Sequence, residues 1–599
     1  MVLGKDKVVS TSILTRLFKS NHSKIYKKKR HYSLMRFHLK NIQAQYLLAY
    51  YLLVSLIPSL YFLFTHPSNI FGKLCAITFP IGLVLLILSA LKNTGKWYLI
   101  LFPLTFINAF QIVLFYLFGD DVIASDMFLN VVTTNTSEIN ELLGSLLPSI
   151  ALVVGLYIPP IIFAILQWKQ KNFLSFSLRK KLIPIAAIIL IFSFGFSLLA
   201  KKNNGSKFQY YTDVYPINAF YNLKYAYDKF NKVKNYPVSS LNFKYQATRK
   251  RENKDRQIIV LIVGETSRAD NWGLYGYSRN TTPLLEKQSN LIAFPDAITQ
   301  ANATHKSVSM ILSSNDANNY NEIYQRKGIV EAFKESDFKT ICISNQAENG
   351  SFIEYFTKEA DLYKTLRVTN TKTRVVENHF DNELVPLMEK EIKENPGNLF
   401  IIIHSYGSHF KYMERYPKAF QKFTPDLITN VDHFQKQRLV NAYDNSILYT
   451  DYFLSNTIDT LKKTKASTLM MYTSDHGEDL FDDKRGKFLH SSPTPTYYQL
   501  RIPMLLWYSD QYQQQHSDKI KNIHQHQSLP VNTSIIFSTL LEAADISSPY
   551  LQPHLSIINP KFSLKERMYL NDHDQAVWYQ KLNLKPQDFE MIKKNKIGN

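Results

Sequence analysis

Gln257-Ile258-Ile259-Val260-Leu261-Ile262-Val263-Gly264-Glu265-Thr266-Ser267-Arg268 is the stretch on which the reading of this 599-residue chain turns. Its apolar part, 258–263, is continuous rather than alternating. A strand of that kind is covered on both faces, as in a mostly parallel sheet packed between helices. The run stops abruptly at a glycine and a set of polar residues. The same event recurs where 399–403 meets His404-Ser405-Tyr406-Gly407-Ser408-His409, and where 468–473 meets Ser474-Asp475-His476-Gly477-Glu478. Residues 503–507 form a further run of strand type. Open α/β sheets build their sites outside the carboxyl ends of the strands, so these polar ends are expected to converge.

Carboxylate plus imidazole is a zinc-compatible ligand set, and His490, 14 residues after His476, can add another nitrogen. A single Asp-His pair after a strand is usually a turn or a satisfied core residue. Three such pieces, each at a strand end beside a glycine, point to a site. Cys75 and Cys342 are the only cysteines, which excludes a disulfide framework and a cysteine-based zinc site.

With 70 Lys+Arg against 49 Asp+Glu the chain carries +21, a balance that fits nucleic acid or an anionic membrane surface. The position of the charge decides. Residues 1–40 hold 11 Lys+Arg and a single acid, Asp6, directly before a series of apolar runs. Stretches 46–64, 70–91, 97–118, 146–167 and 182–199 are each long enough to cross about 30 Å of hydrocarbon as helices. Loops 92–96 and 168–181 are basic, whereas 119–145 carries Asp120, Asp121, Asp126, Glu138 and Glu141 and no Lys or Arg. The positive-inside rule then places the N-terminus in the cytoplasm and everything after residue 200 on the far side. No cleavable signal peptide is seen near Met1. The expected organisation is a basic cytoplasmic segment 1–45, a five-helix membrane domain 46–200, an aromatic and basic linker 201–256 lying in the membrane interface, and a catalytic domain 257–599. Nucleic acid is excluded as a partner.

The run Gly264-Glu265-Thr266-Ser267-Arg268-Ala269-Asp270, continuing to Gly276-Tyr277-Ser278-Arg279-Asn280-Thr281-Thr282-Pro283, resembles the opening motif of bacterial inner-membrane phosphoethanolamine transferases. These are members of the alkaline phosphatase/sulfatase superfamily. The resemblance continues through Gly407-Ser408-His409, Arg415-Tyr416, Asn441-Ala442-Tyr443-Asp444-Asn445 and Ser474-Asp475-His476-Gly477-Glu478, and covers about 257–545. The 39 residues from Glu265 to Thr304 fit the family's distance from its first metal-binding Glu to its nucleophilic Thr. The resemblance implies an α-helical five-span membrane domain plus an α/β alkaline phosphatase/sulfatase-like soluble domain with a mostly parallel central sheet. It implies Thr304 as nucleophile, and Glu265, Asp475 and His476 holding catalytic zinc with the Thr304 oxygen. His409 and His490 would then be proton donors or ligands of a second zinc. Lys306 is a candidate for phosphate oxygens. Asn130, Thr134 and Glu138, spaced four apart on one helix face, resemble the family's series for the donor headgroup, where a carboxylate suits an ammonium group.

The implied reaction moves phosphoethanolamine from phosphatidylethanolamine to lipid A, lipopolysaccharide core or a periplasmic glycan, through a phosphoethanolamine-threonine intermediate. The implied place is the inner membrane, with the catalytic domain in the periplasm. A phosphoglycerol transferase resembling lipoteichoic acid synthase has the same architecture and is the nearest alternative. A formylglycine sulfatase needs a Cys/Ser-x-Pro/Ala-x-Arg context that neither cysteine has, and a non-enzymatic scaffold would bind no zinc. The chain departs from the family pattern in lacking internal disulfides and in having Ala301-Asn302-Ala303 before Thr304. The low cysteine count and Leu274-Tyr275-Gly276-Tyr277 lean towards a core or glycan acceptor.

Overall fold

The computed structural model describes residues 42–598 apart from 66–67, 119–121, 134–135, 203–207, 251–254, 349, 369–376, 430 and 432, and no side chains at 65, 118 and 130–145. The N-terminal unit is helical: α1 (Ala44–Thr65), α2 (Ile70–Ala90), α3 (Thr94–Ile100), α4 (Phe102–Phe118), α5 (Ser125–Thr133), α6 (Thr136–Lys169) and α7 (Phe176–Lys202). Four of these are long and apolar enough to cross a membrane, and α3 with α4 makes a fifth if their 61° bend falls within one span. The third expected span, 97–118, is therefore not one continuous helix. Pro103 explains the break, because it has no N–H to donate and its ring crowds the carbonyl four residues back. A proline is tolerated in the first turn, and α4 restarts at Phe102 to place it there. The small residue Gly82 lets α2 lie close to α7, since a Cβ there would meet Leu190 at 2.9 Å. Arg179 donates to the carbonyls of Ser89 and Ala90 at 3.1 and 2.6 Å, satisfying the last turn of α2.

Helix α8 (Ile217–Ser239) has two distinct faces. Ala219, Asn222, Ala226 and Lys229 are buried, at the 3- and 4-residue spacing of one helical stripe, while Phe220, Leu223, Tyr227 and Phe230 are exposed on another. The expected interfacial segment thus packs one stripe on protein and leaves an aromatic stripe uncovered, which suits a membrane surface.

The second unit is built on a seven-stranded sheet of β1 (Gln257–Gly264), β2 (Leu291–Ala293), β3 (Lys339–Ser344), β4 (Leu362–Thr365), β5 (Leu399–His404), β6 (Ser467–Ser474) and β7 (Met504–Tyr508), in the spatial order β2-β7-β6-β1-β5-β3-β4. All neighbours from β6 to β4 are parallel, and β7 runs antiparallel to both β6 and β2. β1 lies in the middle, with Val263 opposite His404 on one side and Gly264 opposite Ser474 on the other. The three polar strand ends read from the sequence are therefore adjacent. Every residue of β1, β5 and β6 is buried, as their unbroken apolar runs require. Cys75 and Cys342 are both buried and unbridged.

The odd and even residues of β1 feed different cores, one containing Ile259, Leu261 and Val263 and the other Ile258, Val260 and Ile262. Phe400 on β5 stacks on Phe333 with ring centroids 3.8 Å apart and no exposed surface. Phe400→Ala should cost about 3–5 kcal/mol through lost burial and the cavity left behind, measured as a shift in the denaturant midpoint of tryptophan fluorescence.

Candidate active site

Strand β1 delivers Glu265 and then turns through Thr266, a β-branched residue held at φ +59°. Such a residue is uncommon in the left-handed region, and strain of this kind is tolerated where the surroundings fix it. Here the Thr266 N–H donates to Asp475 Oδ1 at 3.0 Å and its carbonyl accepts from the Tyr443 hydroxyl at 2.8 Å. Gly407, at φ +52°, lets the β5 loop cross directly over Glu265, since a Cβ would meet the Glu265 carbonyl at 2.5 Å.

Several strings that carried the resemblance prove to support this turn. Tyr443 belongs to α10 (Lys436–Lys463), the long helix behind the strand ends, following the short α9 (Thr304–Ile311). Asp444, one residue on, accepts from Asn271 at 2.6 Å, Tyr277 at 2.8 Å and Arg279 at 2.7 Å. Arg268 bridges Asp482 and the Glu478 carbonyl at 2.8 and 3.1 Å.

Thr304 is the first residue of α9, so its hydroxyl sits at the positive end of the helix. The helix is fastened to the end of β6 by Ser307, whose hydroxyl donates to the Asp475 carbonyl at 2.6 Å. Asn302, one of the residues that departs from the family pattern, ties the loop before Thr304 to the loop carrying His490. It donates to Ser492 O and Gln499 Oε1 at 2.8 and 2.6 Å and accepts from the Tyr569 hydroxyl at 2.7 Å.

The Thr304 Oγ1 lies 3.1 Å from Glu265 Oε1 and 3.0 Å from His476 Nε2. His476 Nε2 is in turn 3.1 Å from Asp475 Oδ2 and 3.5 Å from Glu265 Oε1. Nδ1 of His476 donates to the Gly477 carbonyl at 2.9 Å, which turns Nε2 towards the cluster. The His490 ring lies 4.0 Å from that of His476, and ligand atoms of Glu265, His476 and His490 are mutually within 4.8 Å. Thr304, Glu265, Asp475, His476 and His490 thus come together as the sequence indicates. His409 borders them, its ring 6.5 Å from that of His490 and stacked on Tyr406.

The electrostatics of the cluster call for a cation. Burial and the neighbouring Asp475 push Glu265 up to about 8. Burial opposes charge on His476, yet Asp475 and Glu265 outweigh it and raise the imidazole to about 9. Glu478 is fully buried, and burial with Asp479 and Glu265 pushes it well above the carboxylate range. Glu478 Oε1 is buried without a hydrogen-bond partner, and His476 Nε2, 3.1 Å away, is the one donor beside Asp475 Oδ2 among the described residues. Lone pairs crowded at these distances repel unless positive charge lies among them. Burial and Arg415 hold His409 down to about 3, and burial with His476 holds His490 well below its usual range. Both rings are therefore neutral, able to accept a proton or ligate. Glu478 was not singled out from the sequence; only its burial marks it.

Lys306 does not face this cluster. Its ammonium is 1% exposed and pairs with Asp126 Oδ2 at 2.6 Å and Asp574 Oδ1 at 3.1 Å, and it donates to Asn571 O at 2.7 Å. Lys229 of α8 pairs with the same two acids at 3.0 and 2.8 Å, and His305 Nε2 lies 3.2 Å from Asp126 Oδ1. Burial resists ionisation of Asp126, but Lys229, Lys306 and His305 outweigh it and hold the carboxyl well below its usual range. Asp572 closes the group by accepting from the backbone N–H of Ser125 and Asp126 at 3.0 and 3.2 Å. Ion pairs thus join α5, α8, α9 and the turn between β8 (Met568–Leu570) and β9 (Ala576–Trp578). Lys306→Met should destabilise the protein by about 3–5 kcal/mol by leaving buried carboxylates uncompensated, read as a lowered melting temperature. The side chains of Asn130, Thr134 and Glu138 lie outside the described residues.

Residues 257–546 match the Sulfatase family. Phosphoethanolamine transferase EptA of Escherichia coli (strain K12) is 32% identical over 309 residues, 50% of this chain and 55% of that protein. The match thus spans about half the length of that curated relative. The integral membrane lipooligosaccharide phosphoethanolamine transferase A (EptA) of Neisseria meningitidis superposes over 85% of this chain and 98% of that one, with a TM-score of 0.65 and 24% identity, and so shares the fold. The periplasmic domain of EptC from Escherichia coli, solved in complex with Zn, covers 56% of this chain and 96% of that one, with a TM-score of 0.51 and 24% identity. Residues 257–546 are a sulfatase-family domain, in a chain whose relatives are phosphoethanolamine transferases.

Proposed function

We propose that this chain transfers phosphoethanolamine from phosphatidylethanolamine to a lipid A-type or other lipopolysaccharide acceptor, with Thr304 as the nucleophile. The observation that carries the reading is the convergence of Thr304 Oγ1, Glu265 and His476 within 3.0–3.5 Å at the strand ends. The donor set of carboxylates, imidazole and hydroxyl, converging on one point at the strand ends, fits zinc. Glu265, Asp475, His476 and Thr304 would hold one zinc, with His409 and His490 available to a second. When bound, the metal lowers the pKa of the threonine hydroxyl and offsets charge on the phosphoryl oxygens.

In the first step Thr304 Oγ1 bonds to the donor phosphorus as the bond to the glycerol oxygen breaks. Diacylglycerol leaves with the proton. In the second step an acceptor hydroxyl or phosphate oxygen attacks the same phosphorus and Thr304 is regenerated. The neutral imidazoles of His409 and His490 take and return protons, and the N-terminus of α9 adds backbone dipoles where phosphoryl charge develops. Asn130, Thr134 and Glu138 are proposed to receive the ethanolamine ammonium. The name of one relative, Kdo(2)-lipid A phosphoethanolamine 7''-transferase of Escherichia coli (strain K12), 32% identical over 275 residues, supports a lipid A type of acceptor.

Mass spectrometry of the full chain incubated with phosphatidylethanolamine or phosphatidylglycerol tests the reading. A phosphoethanolamine adduct on the peptide containing Thr304 is expected. A phosphoglycerol adduct alone would move the assignment to the lipoteichoic acid synthase-like alternative, and no adduct from either lipid would refute it.

A further inference from the structure

Helix α10 runs against the direction of the central strands. Its Tyr443 hydroxyl reaches the Thr266 carbonyl at the carboxyl end of β1, and its last residue, Lys463, lies just before β6 begins at Ser467. The segment leading into α10, residues 427–435, therefore projects past the carboxyl ends of the strands. That end of the domain is also where it meets the membrane helices. Leu117, in the last turn of α4, packs on the core that contains Phe488 and Leu489, and Lys306 of α9 pairs with Asp126 of α5.

Two residues of this segment anchor it: Val431 is buried in that same core and Ile428 packs against it. Two large apolar residues face outward instead. Phe434 is 99% exposed and Leu427 is 55% exposed. Arg438, in the first turn of α10, donates to the Leu427 carbonyl at 3.2 Å, which holds Leu427 at the same helix end as Phe434. The ring of His433 lies 4.5 Å from that of Phe481, and Phe481 stacks on Phe488 at 5.2 Å, so an aromatic path leads from the end of α4 to Phe434. Exposed apolar side chains scattered singly are ordinary, but a pair on one tip beside the end of a membrane helix is not. The rim of the tip is positive. Asp482 and Asp483 are taken up by Arg268 and Arg485 at 2.8 and 2.6 Å, whereas Arg438 and Lys484 are exposed.

Aromatic and aliphatic side chains with flanking cations are the combination that settles at the boundary of headgroups and acyl chains. We propose that Phe434 and Leu427 enter the bilayer beside the end of α4, with Arg438 and Lys484 against lipid phosphates, giving the catalytic domain a membrane contact of its own. What covers the tip is the lipid leaflet itself, not a bound substrate. The inference rests on the membrane reading of the N-terminal helices and is independent of the reaction at Thr304. Because α10 continues from this tip to Tyr443, which holds the turn after Glu265, the depth of Phe434 sets the height of the Thr304 site above the headgroups.

Cys75 and Cys342 are fully buried, so a cysteine introduced at the surface can be spin-labelled alone. The full chain carrying Phe434→Cys or Leu427→Cys is labelled with a nitroxide and reconstituted into vesicles of phosphatidylethanolamine and phosphatidylglycerol. Power saturation compares access by oxygen, which concentrates in hydrocarbon, with access by a Ni(II) chelate, which stays in water. Both labels should be reached by oxygen and shielded from the chelate. Lys463→Cys, at the other end of α10 and about 40 Å along the helix, should show the reverse order. Lys484→Glu should shift the Phe434→Cys label towards water, and an unchanged depth would overturn the ionic contact. Equal chelate access at all three labelled positions would overturn the proposal. Shielding that appears only when lipid A is added would overturn it too, by marking an acceptor contact. So would shielding accompanied by dipolar broadening between labels and lost on dilution with lipid, which marks a second copy of the chain.

Discussion

Thr304→Ala should abolish transfer and eliminate the covalent adduct while leaving the fold and the other proposed metal-binding groups, Glu265, Asp475 and His476, in place. Removing a nucleophile that acts as one unit with its activating groups costs about 10^4–10^6-fold in turnover. The substitution deletes Oγ1, the atom 3.1 Å from Glu265 and 3.0 Å from His476, and little else. Ser307 still fastens the helix to Asp475, so α9 should not move. Thr304→Ser keeps the hydroxyl but loses the methyl that limits its rotamers, and should retain measurable turnover and a trappable adduct. Transfer by Thr304→Ala within tenfold of the unaltered protein would show that another group attacks phosphorus. The assays are release of diacylglycerol and intact-mass detection of the adduct.

Loss of zinc should be nearly as damaging, and it should also be visible in stability. His476→Ala removes the nitrogen on which Thr304, Glu265 and Asp475 converge, and is expected to lower bound zinc and turnover by at least about 10²-fold. A metal held at 1,000 times its dissociation constant contributes about 4 kcal/mol of stability, so chelation should lower the melting temperature of the unaltered protein and barely affect His476→Ala. The pH dependence has a defined sign. Burial and Asp475 raise metal-free Glu265 to about 8, so it must lose a proton to ligate. His476, raised to about 9, must do the same, so apparent zinc affinity should fall as pH drops through about 9 and then about 8, followed by metal analysis after equilibrium dialysis. Zinc content independent of both His476 and pH would place the metal elsewhere.

How much of this was legible in the sequence depended on distance along the chain. The strand ends were readable because each apolar run stops next to its own functional residue, giving Glu265, Asp475 and His476 without any knowledge of packing. Thr304 was not readable in that way. A threonine in a loop carries no chemistry by itself, and only resemblance singled it out. Lys306 looked like a phosphate ligand because it lies two residues after Thr304, but side chains two apart on a helix leave on nearly opposite faces. Its partners Asp126 and Asp574 are 180 and 268 positions away, so no local pattern could reveal them. The number of apolar spans was legible from composition, whereas the bend between α3 and α4 required weighing one proline against the run around it. Glu478 shows the opposite limit. Its type and position were in plain view, yet its protonated state follows from burial beside Asp479 and Glu265.

The ion-pair group around Asp126 also bears on the order in which this protein can mature during synthesis. Asp126, Lys229 and Lys306 leave the ribosome well before Asp572 and Asp574, and the contact between Asp126 and Asp572 closes 446 positions of chain. Until that turn arrives, two ammonium groups face a single carboxylate, and α9 lacks the anchor that fixes it beside the membrane helices. The nascent sulfatase-like domain can pack its sheet early, but the register between reaction centre and bilayer is set late. Such a sequence of events delays docking of α9 until the polypeptide beyond residue 574 has emerged.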